Sequence, residues 1–227
     1  MIYNSRVSEA VIRRLPMYYR HLGELSQEGV ERISSQQLSE RMELTASQIR
    51  QDINCFGGFG HQGFGYRVES LRRHIGIILG LERNYRMIVV GAGNIGRAVA
   101  GFAAFSVDGF SIEALFDRNE KLIGSEVGGI RIRSVDEMEL FAAETPVDIG
   151  VIAVPGPSAQ EVADRMVKAG IRAIWNFAPV DLSLPAHVWV NDVHLLDSLW
   201  ILTYRMNEEA LFARIDAEKK GREGQKK

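Results

Sequence analysis

The sequence lacks the features that mark secreted, membrane and metal-binding proteins. Its 227 residues contain one cysteine, Cys55, so no disulfide can form within the chain. No apolar run approaches the roughly 18 residues of a membrane-spanning helix, and the N-terminus has no signal-peptide core. No group of cysteines and histidines has zinc-binding spacing. We therefore expect a cytoplasmic protein with neither a membrane partner nor a structural metal ion.

Lysine is absent from the first 84 residues, which carry 11 arginines against 9 acidic residues, a balance of +2. The remaining 143 residues carry 16 basic and 20 acidic residues, a balance of −4. This mild asymmetry permits a nucleic-acid-binding first half without proving one.

A glycine-rich segment, Gly91-Ala-Gly93-Asn-Ile-Gly96, begins where an apolar run ends. The spacing G-x-G-x-x-G between a strand and a helix is typical of dinucleotide-binding domains. Gly91 permits the tight turn, Gly93 lets the backbone approach a pyrophosphate, and Gly96 lets helix and strand pack closely. A Gly-rich turn without a ligand is the alternative.

A second apolar run ends at Asp117, 26 residues after Gly91. A carboxylate at this point accepts hydrogen bonds from the ribose hydroxyls and repels a 2′-phosphate, so it favours NAD(H) over NADP(H). Arg118 acts against this preference for NAD(H), although the simpler interpretation of Arg118 is a solvated charge on a loop.

The N-terminal part predicts three helices. The first spans residues 8–28, with a break or kink near Leu15 because of Pro16. The second follows Ser34, and the third begins with a predicted capping box of Thr45 and Gln48 and ends near residue 54. Two short helices joined by a tight turn are the helix-turn-helix pattern.

The third helix has an apolar face of Ile49 and Ile53, and the opposite face can reach DNA. A solvated polar surface is the alternative. Ser35 at the start of the second helix is an additional candidate. The predicted DNA-binding residues of this helical part are Ser35, Thr45, Ser47, Gln48, Arg50, Gln51 and Asn54.

Residues 56–66 contain five glycines and four aromatic residues, a composition that favours an aromatic-anchored β-ribbon, or wing, over a flexible linker. A glycine-rich ribbon can lie close to a minor groove. Its predicted DNA-binding residues are Gly60, His61, Gln62 and Gly63. Cys55, just before it, is either a redox-active thiol or a small half-buried residue.

Strands and helices alternate after residue 85, which predicts an α/β fold with a Rossmann-like, doubly wound parallel sheet. The strands are expected at 86–90, 111–116, 148–154, 172–177 and 188–190, with a short one near 130–132 and helices near 94–105, 134–142 and 158–169. We expect four regions: a winged helix-turn-helix domain (1–80), a dinucleotide-binding domain (85–193), an apolar C-terminal helix (194–208) and a partly disordered charged tail (209–227).

The combination resembles the Rex family of bacterial redox-sensing transcriptional repressors. The resemblance runs from about residue 7 to residue 206. The matching stretches are Arg14–Arg20, Arg32–Leu38, Arg50–Asp52, Phe56–Tyr66, Gly91–Gly96, Phe116–Asp117, Val154–Pro155, Ala159–Glu161 and Asn176–Pro179.

The resemblance implies a homodimer that exchanges its C-terminal helices. It would bind palindromic double-stranded operator DNA when NADH is low and release it when NADH binds, and it would not be an enzyme. The implied residues around NADH or NAD+ are Gly91, Ala92, Gly93, Asn94, Ile95, Gly96, Asp117, Arg118, Val154, Pro155, Asn176, Phe177, Ala178 and Pro179.

The chain departs from the family at a polar switch that the resemblance assigns to Arg20. Phe102 stands where a tyrosine is usual, and His194 where an aspartate is usual. Arg20 therefore has DNA phosphate or an acidic neighbour as alternative partners. Gln51 and Gln62 likewise replace a lysine and an arginine, which predicts a shifted operator and a shallower dependence of affinity on salt.

Two other functions are consistent with the sequence. One is a family member that binds DNA but responds weakly to NADH, as Phe102 and His194 suggest. The other is an oxidoreductase with an accessory domain, for which His194 is the only appealing acid–base residue.

Overall fold

The computed structural model of the chain describes residues 7–57, 65–102, 105 and 108–224. It divides into two compact units, Met1–Asn84 and Tyr85–Lys227, each with its own apolar core. Within the described residues, no helix combines the length and the apolar character needed to cross a membrane.

The first unit is helical, with a two-stranded antiparallel ribbon. Its elements in chain order are α1 (Glu9–Gln27), β1 (Arg32–Ile33), α2 (Ser35–Met42), α3 (Ala46–Asn54), β2 (Tyr66–Arg67) and α4 (Val68–Ile78). The ribbon pairs Ile33 with Tyr66, and both side chains turn into the core between the helices. Helix α4 ends before Gly80, whose φ of 78° favours glycine.

The predicted break in α1 is wrong. The helix runs unbroken from Glu9 to Gln27 through Pro16. Proline removes the hydrogen bond to the carbonyl four residues earlier, here that of Ile12. Both Pro16 and Ile12 are exposed, so this bond is lost on the solvent side of the helix, where water can replace it.

The second unit is a seven-stranded sheet with helices on both faces. Its strands are β3 (Tyr85–Val90), β4 (Phe110–Asp117), β5 (Glu126–Val127), β6 (Ile130–Ser134), β7 (Ile149–Ile152), β8 (Ala173–Asn176) and β9 (Trp189–Asp192). Its helices are α5 (Asn94–Ala100), α6 (Met138–Glu144), α7 (Gly156–Lys168) and α8 (Leu195–Gly224).

The strand order is β5-β6-β4-β3-β7-β8-β9, and every pair is parallel except β5 with β6. Without the short β5, this is the 3-2-1-4-5-6 order of dinucleotide-binding sheets. Alternate residues of each central strand face opposite layers. Val89 packs with α5 on one face, and Ile88 and Val90 pack with α6 and α7 on the other. The predicted doubly wound fold is confirmed.

Two helix boundaries of the second unit differ from the prediction. Helix α5 ends at Ala100, since Gly101 caps it and glycine weakens a helix, and residue 105 is again helical. Helix α8 continues to Gly224, beyond the apolar stretch that ends at Met206 and into the part predicted to be a frayed tail. Alanine, glutamate and lysine in that stretch are good helix formers, and they favour a helix in spite of the high charge.

Candidate nucleotide cleft and candidate DNA-binding surface

The glycine turn lies at the point where the strand order reverses. The chain passes from β3 to β4 on one side, and β7 is the neighbour of β3 on the other. The Gly91 N–H donates to the Phe116 carbonyl oxygen and the Ala153 N–H donates to the Val90 carbonyl oxygen, both at 2.8 Å. The carboxyl ends of β3, β4 and β7 therefore meet at the place where such sheets bind ligands.

The protein backbone requires glycine at two positions of the turn, Gly91 and Gly96, and leaves the third, Gly93, open. Gly91 has a φ of 105°, and a side chain there would also overlap the Ala153 carbonyl oxygen. A Cβ at Gly96 would overlap the Gly91 carbonyl oxygen, so only glycine lets α5 start this close to β3. A Cβ at Gly93, in contrast, would meet no atom within 4 Å. The backbone at Gly93 is thus open to a ligand, whereas the other two positions are closed by the protein itself.

Asp117 at the end of β4 holds this turn in place. Its Oδ2 accepts a hydrogen bond of 2.6 Å from the Ala92 N–H, and its Oδ1 accepts one of 2.8 Å from the Asn119 N–H. Each carboxylate oxygen has a second lone pair, so the group can still accept from ribose hydroxyls. The acid predicted to hold the ribose is therefore also a structural part of the glycine turn.

A cleft of about 600 Å³ opens beside the turn. It brings together several of the predicted residues, namely Gly91, Gly93, Asp117, Arg118, Val154 and Pro155. Asn94, Ile95 and Gly96 lie in the first turn of α5, directly after Gly93. The Ala92 N–H is already bound by Asp117.

The predicted segment Asn176–Pro179 begins at the last residue of β8, next to the strand that leads to Val154, but it is not part of the cleft lining. Asn176 is fully buried. Its Nδ2 donates to the Val180 carbonyl oxygen at 2.9 Å and to Asp192 Oδ1 at 2.8 Å, and its Oδ1 accepts from the Ala178 N–H at 2.9 Å. The amide therefore shapes the loop. Phe177 packs against Trp175, with ring centroids 4.6 Å apart.

Several polar residues of the cleft were missed by sequence reasoning, and three of them lie close together in the fold. Arg165 of α7 lines it with Ser134 and Asp136, which come at and after the end of β6. No local motif marks an arginine near the end of a helix as part of a ligand site. The only available signal was topological, because β6 lies next to β4 and pairs Ser134 with Asp117.

Helix α3 presents the predicted polar surface. Ile49 and Ile53 are buried, whereas Ser47, Arg50, Gln51 and Asn54 are exposed and Ala46 is half-buried. Arg50 Nη1 donates to Ser35 Oγ at 3.0 Å, which joins the first turn of α2 to this surface. Both helices are capped, since Ser34 Oγ accepts from the Gln37 N–H and Thr45 Oγ1 from the Gln48 N–H, each at 3.1 Å.

The reciprocal half of the capping box predicted at α3 is wrong. The Gln48 side chain does not return to the cap; its Nε2 donates to Asp52 Oδ1 at 2.8 Å. This competing partner is stronger because its acceptor is a carboxylate. The bond therefore engages the side chain of Gln48, one of the predicted DNA-binding residues, inside the protein.

Asp52 is the centre of a buried polar network that sequence reasoning did not predict. It is only 1% exposed, and its carboxylate accepts hydrogen bonds from Arg14 Nε (2.6 Å), Arg14 Nη2 (2.9 Å) and the Tyr18 hydroxyl (2.8 Å). Burial acts to raise the pKa of Asp52, but the hydrogen bonds from Arg14, Gln48 and Tyr18 outweigh it and lower the pKa overall. Burial and the bond to Asp52 together raise the pKa of the Tyr18 hydroxyl well above its usual range. The network fixes α3 to α1.

The residues assigned to the switch lie in different units. Arg20 is exposed on α1. Phe102 follows α5, with a 58% exposed side chain, and its ring contacts that of Phe105 edge to face, with centroids 5.0 Å apart. His194 precedes α8, with Nε2 3.9 Å from Asp181 Oδ1.

The predicted wing residues Gly60, His61, Gln62 and Gly63 lie outside the described residues. Cys55 is exposed rather than half-buried, and its thiol donates to the Gln51 carbonyl oxygen at 3.3 Å. The same carbonyl oxygen also accepts from the Cys55 N–H at 3.2 Å, so it is shared by two donors of Cys55.

Comparison with known proteins agrees with both halves of this architecture. A family model described as a CoA binding domain matches residues 82–180, and one described as a putative DNA-binding protein N-terminus matches residues 6–54. The redox-sensing transcriptional repressor Rex of Thermoanaerobacter pseudethanolicus is 49% identical over 218 residues, 96% of this chain and 97% of the relative. The Rex repressor of Clostridium beijerinckii is 53% identical over 205 residues, 90% of this chain and 97% of the relative. The chain belongs to the Rex family of redox-sensing transcriptional repressors.

Solved Rex structures have the same fold. The Rex-family repressor RSP, crystallised with β-NAD+ and operator DNA, is 49% identical, with a TM-score of 0.88 over 95% of this chain and 99% of that one. RSP in complex with β-NADH is 48% identical, with a TM-score of 0.86 over 93% of this chain and 100% of that one. Both the winged-helix half and the sheet half of this chain therefore have counterparts in one Rex-family chain.

Proposed function

We propose that this Rex-family chain is a transcriptional repressor that binds operator DNA as a homodimer and releases it when NADH occupies the cleft of the second unit. The observation that carries the proposal is the cleft itself. At Gly93 the protein leaves room for a ligand, beside a carboxylate at the strand end where a ribose is held. The RSP structures with NAD+ and NADH support the choice of nucleotide.

The residues present fit a dinucleotide. The open backbone at Gly93 would take the pyrophosphate, and Asp117 would take the ribose of the adenosine half. Val154 and Pro155, with the loop Asn176–Pro179, would form the apolar side that receives the nicotinamide. The nicotinamide ring is neutral in NADH and cationic in NAD+. An apolar pocket would therefore bind NADH more tightly than NAD+.

The first unit would supply the DNA contacts. Arg50 can bind guanine in a bidentate manner, and Gln51 can do the same for adenine. Ser35, Thr45 and Ser47 would contact backbone phosphates, and the exposed Asn54 lies further along the same helix surface as Ser47. The wing residues Gly60, His61, Gln62 and Gly63 would complete the surface at the minor groove. The operator complex of RSP supports this assignment.

A second copy of the chain would cover α8. Its exposed apolar side chains are too many for a free surface, since large contiguous patches of this kind mark protein interfaces. They are Leu195, Leu196, Leu199, Trp200, Ile201, Leu202, Tyr204 and Met206, each more than half exposed. The homodimer would place two winged helices on a palindromic duplex.

NADH can release DNA only if it binds one arrangement of the dimer better than the other. Fluorescence anisotropy of labelled operator DNA at fixed salt, with titrated NADH, NAD+ and coenzyme A, tests this. We expect NADH to release the DNA, NAD+ to act weakly and coenzyme A to have no effect. Operator binding that ignores NADH would instead support the weak responder suggested by Phe102 and His194.

The oxidoreductase alternative loses its main support. His194 is not among the residues that line the cleft, and its ring faces Asp181. Transcriptional regulation also agrees with the Rex relatives, which are redox-sensing transcriptional repressors. Turnover of the cofactor with any small carbonyl substrate would contradict our proposal.

A further inference from the structure

Among the described residues that line the cleft, Arg165 has the side chain with the most hydrogen bonds. These bonds hold one wall of the cleft. Its Nε and Nη2 bind the two carboxylate oxygens of Glu139 at 2.6 and 2.8 Å. Nη2 also donates to the Val135 carbonyl oxygen at 2.9 Å, and Nη1 lies 3.6 Å from Asp136 Oδ1. One guanidinium of α7 thus connects with three residues that follow β6.

The electrostatics agree with a firm clamp. The Arg165 side chain is 24% exposed and that of Glu139 is 35% exposed, so the pair is partly shielded from water. The hydrogen bond from Arg165 is the main cause that lowers the pKa of Glu139, and burial opposes it. Two parallel bonds between a guanidinium and a carboxylate also fix direction, which a lysine cannot do.

The clamped segment lies on the adenosine side of the cleft. In this strand order, β3, β4 and β6 form the half of the sheet that binds the adenine nucleotide. Ser134 at the end of β6 pairs directly with Asp117, the predicted ribose acid. Val135 and Asp136 come next in the chain and line the same cleft. A base held beyond the Asp117 ribose would therefore rest against this segment.

We infer that Arg165 is a positioning residue for adenine: it fixes the segment Ser134–Asp136 as the wall against which the adenine ring of the nucleotide lies. This rests on the proposed nucleotide-binding function and adds a determinant to it. Arg165 acts through Glu139 and the Val135 carbonyl rather than through the ligand.

The test separates the two halves of the nucleotide. Binding of NADH is followed by its fluorescence, and AMP and reduced nicotinamide mononucleotide are measured by competition. In Arg165→Gln we expect NADH and AMP to bind about tenfold more weakly, about 1.4 kcal/mol. Binding of the nicotinamide mononucleotide is expected to stay the same. Equal losses for both mononucleotides, or an unchanged affinity for AMP, would overturn the inference.

Glu139→Gln distinguishes a positioning role from direct contact. It removes the carboxylate that orients Arg165 but leaves the cation. It should therefore weaken AMP binding as much as Arg165→Gln does, and the double variant should bind AMP no more weakly than either single variant. Arg165→Lys should not restore AMP binding. Full AMP affinity in Glu139→Gln would mean that Arg165 touches the ligand itself and would refute the positioning role. A thermal melt of each variant shows that the sheet is folded.

The proposed function can fail independently. If the unaltered chain binds no NADH, that proposal is wrong. If it binds NADH and only the variants of Arg165 and Glu139 behave unexpectedly, the adenine wall alone is wrong.

Discussion

Asp117 Oδ2 accepts a hydrogen bond of 2.6 Å from the Ala92 N–H, so the carboxylate that would hold the ribose also holds the turn that would hold the pyrophosphate. Its other oxygen is bound by the Asn119 N–H. In Asp117→Asn the amide must point its NH2 at one of these two donors. Hydrogen bonds to charged groups contribute about 1.5–3 kcal/mol, so we expect NADH affinity to fall about 10- to 100-fold in calorimetric titration.

Glu120→Gln is the matched control for this change, because Glu120 lines the same cleft and the substitution removes the same charge. It should bind NADH nearly as well as the unaltered chain. The unaltered chain should also prefer NADH to NADPH, and Asp117→Asn should narrow that preference. Full NADH affinity in Asp117→Asn would refute the assigned role.

Gly93 and Gly96 allow a paired test of fold against binding. Gly96→Ala would push a methyl group into the Gly91 carbonyl oxygen, so we expect a loss of about 1–3 kcal/mol in the free energy of unfolding. Gly93→Ala meets no protein atom within 4 Å, so its stability should change by less than about 0.5 kcal/mol while its NADH affinity falls. Denaturant unfolding and NADH titration measure the two quantities. A destabilised Gly93→Ala that still binds NADH would reverse this assignment.

These glycines show what the sequence could predict. Backbone conformation and close approach are local properties, so the spacing was enough to predict the turn at Gly91 and the close packing at Gly96 correctly. The approach of a pyrophosphate to Gly93 stays a prediction. The alternation of strands and helices likewise led to the correct sheet, since crossovers between parallel strands have one favoured hand. The two-residue strand Glu126–Val127 carries too little pattern to be recognised.

The side-chain networks could not be predicted in the same way. Arg14 and Asp52 are 38 residues apart, and Arg165 and Glu139 are 26 apart. No periodicity relates such pairs, because only the packing of helices brings them together. The break predicted at Pro16 was wrong for a related reason. Proline weakens a helix locally, but the buried Leu15 and Tyr18 hold α1 in the core on both sides of it.

The Asp52 network makes the free energy of unfolding depend on pH. The folded-state pKa of Asp52 lies below its value in the unfolded chain, which is about 4. The stabilisation is therefore fully present above about pH 4 and is lost as the pH falls through the folded-state pKa. We expect Asp52→Asn to be less stable than the unaltered chain at pH 7 and to have a flatter stability profile between about pH 5 and pH 2.

Urea unfolding at a series of pH values checks this, with Glu9→Gln as control, because the Glu9 ion pair with Arg13 is exposed. Arg14→Gln at pH 7 should lose about 3 kcal/mol, since it leaves a buried carboxylate without its cation. A slope in Asp52→Asn equal to that of the unaltered chain would show that other carboxylates cause the acid dependence.

Gln51 should limit the electrostatic part of DNA binding. Its exposed position on α3 lies next to Arg50, so Gln51→Lys would add a cation within reach of a phosphate or a base. We expect the slope of log affinity against log salt to steepen by about 0.9 for one added phosphate contact. Gln27→Lys, at the exposed end of α1, adds the same charge away from α3. Equal slopes in the two lysine variants would mean that position 51 does not face the duplex.

Trp200 offers a test of how α8 is covered. Its side chain is 62% exposed in the single chain, and the flanking Leu199 and Ile201 are more than half exposed as well. A symmetric dimer contains each substitution twice, so a modest loss of about 2 kcal/mol at each Trp200→Glu would sum to about 4 kcal/mol. That sum weakens the dimer about a thousandfold, and sedimentation equilibrium at micromolar concentration would then show monomers. Gln27→Glu, with the same added charge, should remain dimeric.

Since a monomer can occupy only half of a palindromic site, Trp200→Glu should also lose operator affinity and keep NADH binding. If Trp200→Glu instead stays dimeric and keeps operator affinity, a different surface must join the two copies, and the exposed apolar residues of α8 would need another partner.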